Sequence, residues 1–168
     1  MRIPGQEIKK YAERYKYRKS PPLDAGRNAI AQGQLNLAEL IIVAGWKSER
    51  RLDLIRANPD NLVREITSFS FSAEYEESTI GALLILQGVS FPTASAILHF
   101  CVDDSYPILD FRALWSLGIE KPNLYTTSFW LDYLETCRSI AKQHEVSVRE
   151  LDKALWQYSS ENQLNDIK

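Results

Sequence analysis

Asp110 is the side chain on which any chemistry in this sequence turns. It ends the stretch LLILQGVSFPTASAILHFCVDDSYPILD and precedes residues 111–117, whose pattern predicts a helix. An aspartate in that position satisfies first-turn amides as a cap. A carboxylate held in a dry site also stabilises developing positive charge, or orients an attacking water. Both readings stay open on sequence grounds. Tyr106 and Arg112 flank it, and Arg112 suits a phosphate or a neighbouring carboxylate equally.

The element that must position Asp110 lies just upstream. Ile80, Leu83, Leu84 and Leu86 predict an apolar helix, which Gly88 breaks. Pro92 fits the first turn of a second helix, where the Thr93 hydroxyl is placed to satisfy an orphan amide. Ala94, Ser95 and Ala96 are small enough for close helix approach, and Ile97, Leu98 and Phe100 carry the core side. A glycine turn aimed at a helix start points several N–H groups one way, which suits a phosphate. The expected phosphate contacts are Gly88, Val89, Ser90 and Thr93. Lys47, Arg50 and Arg51, read as one helical face, join them or are simply solvated.

Leu86, Gly88, Val89, Thr93 and Ala94, with Asp110 at its spacing, resemble the helix-hairpin-helix element of the base-excision DNA glycosylase superfamily. The likeness covers roughly residues 78–118. It implies an all-α fold, a compact orthogonal helical bundle that binds duplex DNA. It further implies monofunctional cleavage of the N-glycosidic bond of a damaged base, with Asp110 as the catalytic carboxylate. Ser90 stands where the family has its second glycine. Pro92 stands where bifunctional members such as endonuclease III carry lysine, so lyase chemistry at that position is excluded. The family places base-pocket residues on an early helix and the loop after it. Trp46 is the candidate there, against a core reading, and Tyr106 is the second; the family's Gln-Thr signature is missing. The alternative is a non-catalytic DNA-binding or protein-interaction module, for which an apolar groove lined by Trp130, Tyr133 and Trp156 would serve, against a core reading of the three.

Composition bounds the rest. The chain has 168 residues and reads as one domain, 1–168, with a basic N-terminal helix over 1–20, the hairpin over 78–102 and C-terminal helices over 128–160. A net charge of −2 looks wrong for a nucleic-acid binder until it is divided. Residues 1–20 carry seven Lys/Arg against two Glu, while residues 65–168 carry seven against fifteen acids. A phosphate-facing surface therefore has to draw on the first third and the hairpin amides. Two cysteines, Cys101 and Cys137, cannot hold a four-cysteine cluster, and two histidines without zinc spacing predict no metal. No cofactor is expected. With no apolar run of spanning length, a cytoplasmic protein that does not engage a membrane is expected.

In chain order the pattern predicts helices over 6–19 and 25–32, then one capped by Asn36 and ending at Gly45-Trp46. Asn58-Pro59 reads as a cap and first-turn pair, with a hinge over 68–72 behind it. Further helices are predicted over 128–144 and 148–160, the last opened by a Ser147/Glu150 capping box, with fraying from Glu161.

Overall fold

The computed structural model describes residues 1–163. A short 3₁₀ turn, Gly5–Glu7, leads into α1 (Ile8–Glu13), α2 (Leu23–Gln32), α3 (Leu37–Lys47), α4 (Leu52–Arg56) and α5 (Asp60–Ser72). There follow α6 (Glu76–Leu83), α7 (Phe91–Cys101), α8 (Phe111–Leu117), α9 (Thr127–Gln143) and α10 (Val148–Asn162). No strand occurs among the described residues, so the fold is all-α. None of these helices is long and apolar enough to cross a membrane.

The core is arranged around α7. Every residue from Thr93 to Cys101 is buried. A helix this apolar on all sides has no solvent face to offer and must be enclosed. Helices α2, α3 and α6 enclose it, while α1 and α8 pack on α10. The small side chains Ala94, Ser95 and Ala96 permit this crowding. Gly26 of α2 does the same from outside, because a Cβ there would collide with the Phe100 carbonyl.

Between α6 and α7 the chain makes a tight turn. Residues 84–86 continue as hydrogen-bonded turns, and Gly88 takes φ +81. A side chain at Gly88 would also meet Ile55 Cγ1 at 2.7 Å and Arg51 O at 2.9 Å. Asn58 ties the same turn from below. Its amide donates to Ile55 O and Gln87 O, at 2.9 and 3.0 Å, and its oxygen accepts from Gln87 N at 2.9 Å. Asn58 is therefore a cross-link and not a helix cap; Pro59 occupies the cap position of α5.

Other boundaries move for similar tertiary reasons. The helix expected over 6–19 stops at Glu13. Beyond it Lys16 N donates to Gln157 Oε1 at 3.0 Å, and Lys19 Nζ to Gly45 O at 2.6 Å. Tyr11 and Tyr15 both pack on α10, Tyr11 on Tyr158 and Tyr15 on Trp156. The expected hinge over 68–72 is the last part of α5, where the Ser70 hydroxyl donates to Thr79 O at 2.7 Å. The capping boxes at Asn36/Glu39 and Ser147/Glu150 are both present. Helix α10 continues through Asn162, so the fraying expected from Glu161 does not begin there; residues 164–168 of that tail lie outside the described residues.

Candidate functional site

Asp110 ends a buried strap that is pinned along its length. Tyr106 O accepts from His99 Nδ1 at 2.7 Å, and Leu109 N donates to Ser95 Oγ at 2.8 Å. Ile108 N donates to Asp152 Oδ1 at 3.2 Å, while Ile108 O accepts from the Tyr133 hydroxyl at 3.0 Å. The strap thus delivers Asp110 in an extended conformation at the start of α8, where its Oδ1 accepts from Arg112 N at 2.9 Å. The capping role is real.

The other oxygen does something the sequence did not announce. Asp110 Oδ2 accepts from Lys47 Nζ at 2.7 Å, with the Lys47 side chain 10% and the Asp110 side chain 21% exposed. Burial pushes the Asp110 carboxyl upward. The Lys47 charge and hydrogen bond, with the Arg112 amide, outweigh it and hold the group below its ordinary value. Asp110 is therefore a carboxylate at neutral pH.

The pair opens onto a groove of about 860 Å³. Its lining carries seven cations, Lys47 together with Lys16, Arg18, Arg50, Arg51, Arg112 and Lys121, against one carboxylate, Asp110. Such an imbalance concentrates positive potential in the groove, although the chain as a whole is slightly acidic. Tyr17, Tyr125 and Trp156 add aromatic wall. Burial and the Asp110 charge both push the Tyr125 hydroxyl up, so it remains a neutral donor. Ser90, Pro92 and Thr93 bring the start of α7 to the rim.

The structure divides the candidate residues. Ser90 and Thr93 reach the groove, and the amides of Phe91 and Thr93 have no acceptor among the described residues. The expected Thr93 cap bond is absent, since no side chain caps α7. Gly88 and Val89 do not line the groove. Gly88 is pressed against α4, Val89 is buried, and the Val89 amide donates to Leu86 O at 3.1 Å. Arg50 and Arg51 line it, but not on one helical face with Lys47, because α3 ends at Lys47 and the chain then turns. Lys47 itself is committed to Asp110.

Neither base-pocket candidate reaches the groove. Trp46 packs edge-on to Phe100 with ring centroids 4.8 Å apart, behind Lys47. Tyr106 lies on the side of Arg138, whose guanidinium is 5.1 Å from its ring. The groove imagined from Trp130, Tyr133 and Trp156 does not form either. Trp130 and Tyr133 are sealed in the core, and only Trp156 meets the open groove. Sequence reasoning missed Tyr125 and Lys121 as wall residues; Lys16 and Arg18 fall in the basic first third it assigned to a phosphate-facing surface, and Trp156 it placed in a different groove. It also missed Asp152, a buried acid on the apolar side of α10 that Arg149 binds at 2.7 Å. An aspartate directly after Leu151 on a core-facing stripe was the available signal.

Comparison with known proteins returns no matching family model, no matching curated protein and no matching solved structure.

Proposed function

We propose that this chain is a DNA-binding protein of helix-hairpin-helix, DNA-glycosylase-like type, and that it cleaves the N-glycosidic bond of a damaged base in the Asp110 groove. One observation carries the reading. The groove's cations face a single carboxylate, kept ionised, and share that groove with the start of α7, whose Phe91 and Thr93 amides have no acceptor among the described residues.

The chemistry follows from charge. Arg50, Arg51, Arg18 and Lys121 neutralise backbone phosphates at the rim. As the glycosidic bond breaks, positive charge develops on the sugar and a prearranged carboxylate stabilises it; a water oriented by Asp110 adds to the sugar carbon, and its proton passes to the departing base. Lys47 holds Asp110 charged and oriented, and its ammonium offers a counter-charge to the departing base. The trio of Tyr17, Tyr125 and Trp156 supplies faces on which an extruded base can stack.

A binding-only module is favoured by one specific fact: both Asp110 oxygens already have partners inside the chain, so a structural account of the residue is complete. Incubation with duplexes bearing different damaged bases, followed by hot alkali, separates the two. Excision is expected from the native protein, and Asp110→Asn should lose it by about 100-fold or more while DNA retention and the fold persist, at a melting temperature lowered by loss of the Lys47 ion pair. Retention without excision on every lesion leaves the module; no retention even at low salt overturns both.

A further inference from the structure

Two further cavities border the fold. One, of about 630 Å³, lies behind the groove and shares no lining residue with it. It mixes four cations with Asp103 and Asp104, so its charge selects no ligand. The other, of about 480 Å³, adjoins the groove itself. Phe111, Lys121 and Gln163 line both, so the two open spaces meet along those residues.

Helix α8 fixes what stands at the junction. Asp110 caps it, which makes Phe111 its first residue and leaves that residue 43% exposed. The Arg112 guanidinium lies 5.3 Å from the Phe111 ring centroid and 5.4 Å from that of Trp156, so one cation braces two aromatic walls. Further along, Arg2 N donates to Ser116 O at 2.7 Å. That pins the N-terminal residues to α8 and sets the Arg2 guanidinium 4.7 Å from the Trp115 ring centroid. Arg2 and Trp115 both line the adjoining cavity. Phe111 and Trp115 are four residues apart, so the opening follows one face of α8.

The charge stays of one sign along this path. The cavity adds Arg2 to the groove's seven cations, and Glu120 to its one carboxylate. Arg2, Arg112 and Lys121 form no ion pair with any described residue. So large an excess suits a polyanion. A paired duplex offers such a surface its phosphates, because its bases are stacked on one another. One extruded base would fill one aromatic subsite, and each further one costs more unstacking. In a single strand the bases are already free, and a basic groove with aromatic platforms holds them by stacking.

We infer that groove and cavity form one trough for single-stranded DNA. One base stacks on Phe111, its flanking phosphates meet Arg112 and Lys121, and the next nucleotide lies in the cavity beside Arg2. The inference rests on the groove's binding DNA, and is indifferent to whether Asp110 cleaves anything.

The test compares an undamaged, labelled single strand of about 12 nucleotides with the blunt duplex of the same sequence. The single strand should bind about tenfold or more tightly at equal salt. Phe111→Ala should shrink that preference about tenfold, the worth of one stacked base, and Phe111→Trp should keep it. Arg2→Ala should flatten the single strand's log–log salt dependence by about 0.7 relative to the duplex. Binding of the duplex as tight as that of the single strand overturns the inference while leaving the groove its DNA. So does a preference unmoved by Phe111→Ala, or a salt dependence unmoved by Arg2→Ala. No retention of either form at low salt overturns it together with the groove reading.

Discussion

Asp110 and Asp152 each accept a hydrogen bond from a cation at 2.7 Å, yet their carboxyl groups move in opposite directions. Asp110 is held below its ordinary value and Asp152 is pushed above it. Both also accept a backbone N–H, from Arg112 at 2.9 Å and from Ile108 at 3.2 Å. What differs is the surroundings. The Asp110 side chain is 21% exposed and faces a cation-lined groove, whereas that of Asp152 is 9% exposed and sealed in the helix packing. For Asp152 desolvation dominates, and the nearby Asp110 charge adds to it. A cation at contact distance does not decide the protonation of an acid; the balance with desolvation does. Both acids line one small internal cavity of about 20 Å³, so the contrast operates across a few atoms.

Removing each cation in turn tests the comparison hardest. Arg149→Met removes the guanidinium that lies over Tyr15 and Phe100 and leaves the buried Asp152 without its partner, and should cost about 3 kcal/mol. Lys47→Met should cost less, about 1–2 kcal/mol, because water reaches Asp110 from the groove. Denaturant melts of the two variants check this order. A larger loss for Lys47→Met would mean that Asp110 is the more deeply desolvated of the pair.

The pH dependence should have opposite signs. The folded value of Asp110 is depressed, so its contribution is present above the unfolded value, about 3.9, and is lost as pH falls through the folded one. The folded value of Asp152 is raised, so its contribution is present below about 3.9 and is lost as pH rises through the folded value. Melting temperatures between about pH 3 and 6 should therefore show native protein gaining on Asp110→Asn as pH climbs, and losing ground to Asp152→Asn. Slopes of the same sign would collapse the distinction between the two acids.

The smallest effect separates the groove from the cavity behind it. Replacing Arg50 and Arg51 by alanine should flatten the salt dependence of DNA retention by about 0.9 in log–log slope for each phosphate no longer neutralised. Replacing Arg27 and Lys153, which line only the rear cavity, should leave that slope alone. Equal flattening by both pairs would place the phosphates on both faces.

Local signals were legible wherever a few neighbouring residues settle the outcome. The all-α class, the caps at Asn36, Asp110 and Ser147, and the break at Gly88 all follow from backbone amides and from the helical spacing of apolar residues. Those forces act within one or two turns, so the sequence displays them directly. The N-terminal segment shows where this fails. Residues 14–20 have helix-compatible composition, but interactions with Gln157, Trp46 and Gly45 draw them out of the helix.

The candidate site was only half legible for the same reason. The sequence by itself determined that Asp110 would stand at a helix start after a glycine turn, because both features are local. Tertiary structure alone decided that Lys47 would spend its charge on Asp110, that Val89 would be buried, and that Trp46 would serve as a wall shared with a second cavity. Each of these depends on which helices cross α7 and how closely. Packing volume and desolvation at those crossings are set by residues scattered over the whole chain, and no short stretch of sequence contains them.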